Sequence, residues 1–216
     1  MTKAKVGRAP GPALLGLIFS MLTQLATVKA RLGLVTTDTQ YDALLTRAIG
    51  AFSARFDSEC NRMLARTVGV WEDFPASEIE IPVCCYPIES ATRFEVKSSE
   101  TTGWVEQTGV DYLVRAKCVL SLSVPLRVLG TATALARVTY TGGYVLPGTA
   151  PAAGQTALPA EVENAVIEQV AFWFEHRDAP GVVRIWPTGG NYVQLVDTDL
   201  LPAVRAVLRR HTRFSV

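Results

Sequence analysis

Between Leu158 and Arg177 the chain reads LPAEVENAVIEQVAFWFEHR, and this stretch limits the folds open to it more than any other. Pro159 stands where a helix starts, because a first-turn residue has no use for its N–H. Glu161 and Glu163 follow in the first turn and His176 and Arg177 close the last, as the helix dipole favours. At 100° per residue, Val162, Ala165, Val166, Val170 and Trp173 share one face. Phe172 flanks that face on one side, and Ile167 and Phe174 widen it on the other. Only Glu161, Asn164, Glu168, Glu175 and Asp178 form a wet strip. A surface helix needs a narrower apolar stripe than this. The expectation is a helix covered on two sides, by its own core and by a second body such as another copy of the chain.

The surrounding chain can supply a core. It has 216 residues, 49% of them apolar, and a net charge of +1, which speaks against a general polyanion or membrane-surface binder. The charge is uneven: Lys3, Lys5 and Arg8 mark the N-terminal end, and Arg205, Arg209, Arg210 and Arg213 the C-terminal end, both without acids among them. The four cysteines (Cys60, Cys84, Cys85, Cys118) contain no Cys-x-x-Cys spacing, and the histidines are only His176 and His211. Buried free thiols are therefore expected, not a disulfide framework or a metal site. The apolar run from Ala13 to Leu22 after a basic start resembles a secretory signal, but it is too short to span a bilayer and no small-x-small cleavage site follows closely. Residues 1–20 are read as a retained extension that docks on a neighbour, with Met21 opening the domain proper.

From Thr23 two helices are expected. The first runs from Leu25 to Leu32, capped by Thr23 and stopped by Gly33; the second runs from Thr39 to Leu64, with Thr37 and Asp38 as caps. Tyr41, Leu45, Ala48, Ile49, Phe52, Phe56 and Met63 line one side of the longer one. Between residues 68 and 144 the period becomes alternating. Strands are expected at Val68–Phe74, Glu78–Val83, Arg93–Lys97, Val110–Ala116, Cys118–Val124 and Ala136–Tyr140, separated by proline and glycine turns. Short strands joined by turns make an antiparallel sheet or small barrel. A loop covers Ala179–Asp197, with Pro180, Gly181, Pro187, Gly189 and Gly190, and a last helix begins at Pro202 and spans 201–212. The reading is α+β: helices in 23–64, a central antiparallel β insertion in 68–144, and helices in 158–178 and 201–212, around one core.

Motifs of catalysis are missing. The sequence has no Gly-x-Gly-x-x-Gly, no phosphate-binding Gly-Lys-Ser/Thr loop, no Gly-x-Ser-x-Gly and no His-Glu-x-x-His. Glu175, His176 and Asp178 lie together at a helix end, where such residues serve as caps or solvated groups. Asp111 before Tyr112 reads as a wet strand position. The C-terminal arginines, with Phe214 beside them, suit either a solvated terminus or an acidic partner surface, and no interleaved aromatic platform points to sequence-specific nucleic-acid reading. No enzyme activity, cofactor or metal is expected.

Several segments, in order, resemble phage head–tail connector (neck adaptor) proteins. These are Met21-Leu22-Thr23, Val28-Lys29-Ala30-Arg31-Leu32 with the long helix after it, and Val138-Thr139-Tyr140-Thr141-Gly142-Gly143-Tyr144. Leu158-Pro159-Ala160-Glu161 opening a helix that ends Trp173-Phe174-Glu175-His176-Arg177 is the most specific of them, and the Leu201-Pro202 helix closes the series. The resemblance runs from Met21 to Val216. It departs at the N-terminal extension and in the long Ala179–Asp197 loop. It implies a structural virion protein in the neck between head and tail, assembled in the host cytoplasm without a membrane. Such proteins form a dodecameric ring with themselves, dock on the portal protein, and support the stopper or tail-completion protein. DNA passes through their channel without sequence recognition. The resemblance also implies portal docking by the C-terminal segment, here Arg205, Arg209, Arg210, Arg213 and Phe214. The broad helix supplies the subunit interface through Ile167, Phe172, Trp173 and Phe174. Two other readings stay open: another neck component (a stopper or tail terminator), and an exported enzyme or binding module.

Overall fold

A computed structural model describes residues 20–126, 134–177 and 199–213, with the backbone of 182–185 and 193–195. Its elements are α1 (Leu25–Arg31), α2 (Asp42–Glu59), β1 (Thr67–Pro75), β2 (Glu80–Pro82), β3 (Ile88–Lys97), β4 (Val105–Gln107), β5 (Tyr112–Arg115), β6 (Val119–Leu122), β7 (Leu135–Gly142), α3 (Ala160–Glu175), β8 (Val182–Ile185), β9 (Val193–Leu195) and α4 (Pro202–His211). The class is α+β, in the order read from the changing periodicity. Where the sequence reading gathered all elements around one core, the chain divides into two compact units. The sheet unit is Met63–Tyr144 with Ala152–Thr156, and the helical unit takes the described residues of Phe19–Arg62, Val145–Pro151 and Ala157–Val216. Each kind of element buries its apolar face against its own kind, which is why two cores form.

The helical unit is built on Leu22, Val28, Leu45, Ile49, Phe56, Val162, Val166, Val170, Val204 and Leu208, all essentially without solvent exposure. Both early helices end in paired backbone bonds of the Schellman type. After α1, Gly33 adopts φ +68 and its N–H donates to Ala30 O, while Leu34 N–H donates to Lys29 O. After α2, Asn61 takes the same role at φ 49, with Asn61 N–H on Ser58 O and Arg62 N–H on Asp57 O. The sequence reading stopped α1 at Gly33 but carried α2 to Leu64. Asn61 is the correction, since asparagine tolerates left-handed backbone and ends the helix there. The expected caps also differ. Gln24 and Tyr41 occupy the N-cap positions without side-chain bonds. Thr23 is buried and its hydroxyl donates to Glu163 at 3.3 Å, whereas Asp38 accepts the Gln40 N–H at 2.9 Å. Lys29, only 3% exposed, is held by Thr36 O, Asp38 O and the Asp42 carboxylate, so its buried charge is fully partnered.

The sheet unit holds two antiparallel sheets, ordered β1-β7-β3-β4 and β2-β6-β5. Val70, Phe74, Ile81, Val83, Phe94, Leu120, Val138 and Tyr140 belong to its core. Sequence reading missed β4, a three-residue strand with no alternation to detect, and started β3 late because two bulges break its period. It also took Ala179–Asp197 as a loop, within which β8 and β9 form an antiparallel hairpin. Their β-branched residues alternate over too few positions to outweigh the flanking glycines and prolines.

Gly142 and Gly143 have a steric reason to be glycine. A Cβ on Gly142 would lie 2.3 Å from Cys85 O, and one on Gly143 (φ +98) would lie 2.5 Å from Ala65 O. The chain crossing is closed by Gly143 N–H on Pro87 O, Tyr144 N–H on Leu64 O and Arg66 N–H on Tyr144 O. Below it, the buried Tyr140 hydroxyl donates to Glu72 and accepts the Cys85 N–H at 3.0 Å, and Glu72 accepts the Cys84 N–H at 2.7 Å. Burial, followed by the Glu72 charge, raises the Tyr140 phenol pKa, so it stays a neutral donor. All four cysteines are free, and burial pushes the Cys60 thiol up to about 11.

The turn between β5 and β6 carries Ala116 at φ 47 and Lys117 at φ 60, with Cys118 N–H closing on Arg115 O at 3.1 Å. Two positive φ values suit Asn-Gly far better than Ala-Lys. Lys117→Gly should therefore raise stability in urea unfolding by about 0.5–1 kcal/mol, the relief of a left-handed residue less the gain in unfolded-state freedom. Gly142→Ala should lower it by about 1–3 kcal/mol, because the atom it meets is backbone and cannot rotate away.

Candidate assembly surfaces

Helix α3 begins after Pro159, which is the residue just before the first turn and not within it. Its wet strip is as read: Glu161, Asn164, Glu168 and Glu175 are exposed or half-buried, while Asp178 lies outside the described residues. Most of the remaining circumference is covered. Helices α1, α2 and α4 all pack on α3, so the second body that shields it comes from the same chain. Ile167 and Phe174 are each 6% exposed, and Phe174 meets the Tyr41 ring edge-on at 5.1 Å. Those two side chains belong to the unit's own packing. Phe172 and Trp173 remain half-buried at the C-terminal end of α3. Trp173 packs edge-on to Phe52 at 6.4 Å, and Phe172 lies 4.3 Å from the His176 ring. Part of each aromatic face is thus left to solvent. Sequence spacing placed all four residues near one apolar band, but it could not tell which would meet α1, α2 or α4.

His176 caps the helix end, where Nδ1 lies 2.8 Å from Phe172 O, and Arg177 donates to Phe174 O at 2.7 Å while lying over the Phe174 ring. These are end-of-helix roles, as the sequence suggested. Among the described residues, no three His, Cys, Asp or Glu side chains cluster to hold a metal, and no helix is long and apolar enough to cross a membrane.

Helix α4 buries Val204 and Leu208 and exposes its arginines, but most of those charges are engaged. Arg205 and Arg55 both bond Asp199. Arg210 reaches Glu161 at 2.7 Å, and His211 Nε2 lies 2.6 Å from the other Glu161 oxygen, so α4 is tied to the acidic start of α3. The buried Gln169 carboxamide accepts the Leu201 N–H at 2.9 Å, satisfying a donor where α4 begins. Arg213 sits beside Cys60, whose carbonyl accepts its backbone N–H at 2.9 Å. Arg209 is exposed and forms no ion pair among the described residues. Phe214 lies outside them. Of the expected basic face, Arg205 and Arg210 are tied within the chain, and Arg209 stands without an ion pair among the described residues.

Over 94–96% of its length, the chain is similar in fold to chains of gene transfer agent particles. The similar solved structures are the neck of an empty gene transfer agent (GTA) particle with C6 symmetry and the virion of a native gene transfer agent particle. The first has TM-score 0.60 and 16% identity, covering 96% of this chain and 97% of that one. The second has TM-score 0.59 and 14% identity over 94% and 95%. A third, the neck of a native particle with C12 symmetry, gives TM-score 0.50 and 15% identity over 96% and 97%. No family model and no curated protein matches the sequence.

Carboxylates join α3 to its neighbours, and three carboxylates of the helical unit ionise more readily than usual. The His211 hydrogen bond and then the Arg210 charge lower the Glu161 pKa, and the Arg31 fork at 2.8 and 2.9 Å lowers that of Glu168. Asp199 is lowered by the Leu200 N–H and then by Arg205 and Arg55. A depressed folded pKa contributes stability that is present above the unfolded value and is lost as pH falls through the folded one. Urea midpoints followed by helical signal should thus fall once pH drops below the ordinary carboxylate range of roughly 4. The Glu161→Gln, Glu168→Gln, Asp199→Asn triple variant should show a flatter acid limb.

Proposed function

We propose that the chain is a structural subunit of a phage-like virion neck, a head–tail adaptor without enzymatic activity. Copies form a ring that docks on the portal, continues the DNA channel and carries the stopper or tail. The observation carrying this reading is the correspondence, end to end at 96% and 97% coverage, with a neck chain of a six-fold symmetric assembly. The order of segments shared with connector proteins, from Met21-Leu22-Thr23 to the Leu201-Pro202 helix, supports the adaptor role over a stopper or tail terminator.

Within this reading, Phe172 and Trp173 are the aromatics available to a neighbour, because Ile167 and Phe174 are already covered. In a cyclic ring, one face of a subunit meets a different face of the next, and durable interfaces bury more than about 1,000 Å². Half-exposed aromatics suit the centre of such a contact. Arg209, with Arg205, Arg210, Arg213 and Phe214 of the same C-terminal segment, is the docking point for an acidic surface of the portal.

Trp173→Glu should leave a folded protein, by circular dichroism, that no longer forms rings in negative-stain images. Loss of the fold instead would assign Trp173 to the internal core. Arg209→Glu should weaken capture by the portal protein several-fold without changing thermal stability. The variant with all four arginines changed to glutamate should abolish capture, and normal capture by it would remove the docking assignment.

A further inference from the structure

Among the described residues, the outer edge of β5 is an unguarded pairing surface whose sequence is complementary to itself. In the sheet β2-β6-β5, β5 has β6 on one side and, among the described residues, no strand on the other. Its register on β6 sets Tyr112 against Leu122 and Leu113 against Ser121. One step further, Asp111 O accepts the Ser123 N–H at 3.0 Å, while Leu122 N–H turns the opposite way to Ile79 O at 2.7 Å. Antiparallel ladders alternate in this respect, so residues 111, 113 and 115 bond towards β6 and residues 112 and 114 present N–H and C=O outward. The strand is held rigidly, since the Tyr112 hydroxyl bonds both the N–H and the O of Ala91 at 3.1 and 3.2 Å. Leu113 is 67% exposed and Val114 39%. Neither lysine nor proline lies within the strand to deter pairing.

We propose that this edge pairs antiparallel with the same edge of a second copy, through a two-fold axis at Leu113. The outward groups permit three registers, centred on residue 112, 113 or 114. Only the central one matches the side chains. It sets Tyr112 opposite Val114 of the second copy as hydrogen-bonded pairs in both directions, and Leu113 opposite Leu113 on the outer face. The same register places Asp111 opposite Arg115 of the second copy, twice. The registers on either side would instead oppose Leu113 with Asp111 or with Arg115. Arg115 now bonds Glu80 at 2.7 Å, but both side chains are more than half exposed, and so weak a surface pair yields readily to a competing carboxylate. The contact is isologous, joins two three-stranded sheets into one six-stranded sheet, and closes at two copies. It uses neither α3 nor α4 and stands independently of the ring.

The two Leu113 residues would face each other as a non-hydrogen-bonded pair, with Cα atoms about 4.5 Å apart, within disulfide range. Leu113→Cys in the full chain should form a covalent dimer under mild oxidation on a denaturing, non-reducing gel, several-fold faster than wild type or the equally exposed control Val35→Cys. Adding Asp111→Arg should slow cross-linking several-fold, and adding Asp111→Arg with Arg115→Asp should restore it. Cross-linking no faster than the control, a ladder extending beyond dimers, or failure of the double charge exchange to restore the rate would each overturn the proposal.

Discussion

The broad apolar girth of α3 is the constraint on which the helical unit depends. Val162, Val166 and Val170 have no solvent exposure, and Ile167 and Phe174 almost none, so the helix is hydrophobic on more than one side. Every other helix of the unit is placed to cover part of it. Helices α1, α2 and α4 pack around α3, and polar ties fix the contacts with α1 and α4 at its rim. Arg31 on Glu168 and Arg210 and His211 on Glu161 occupy the wet strip, while Gln169 meets the start of α4 from inside. Burying side chains of this size contributes roughly 1.5–3 kcal/mol each, well above exposed ion pairs at roughly 0–1. The charges choose orientation; the apolar surface supplies stability.

The sheet unit obeys a different constraint, the close approach of backbones at Gly142–Gly143. A side chain there would displace the Cys85 and Ala65 carbonyls. The same place carries the partly buried Tyr140–Glu72 pair, which binds the N–H groups of Cys84 and Cys85 and so holds the segment that the glycines approach. Steric permission from the glycines and polar satisfaction from Tyr140 act on one short stretch.

For assembly, the consequence is economy. Most of the apolar surface that first suggested contact between copies is used within one copy. Among the described residues, the groups left outside include the half-covered Phe172 and Trp173, Arg209 without an ion pair, and the outer edge of β5, with Val35, Val68 and Val124 exposed elsewhere. Interfaces commonly draw their strength from a few such anchors and not from uniform greasiness.

Much was legible in the sequence because it depends on local backbone chemistry. The helix-strand-helix order, the stop at Gly33, the start of the last helix at Pro202 and the wet strip of α3 all follow from periodicity and cap residues within a few positions of each other. Tertiary structure alone decided which aromatics of α3 are core, that Arg205 and Arg210 are bound to Asp199 and Glu161, that Asn61 ends α2, and that helices and sheets keep separate cores. Those outcomes depend on side chains far apart in the chain arriving at the same place. Periodicity reports how many faces of a helix are apolar, but only the packed fold determines which neighbour covers each one.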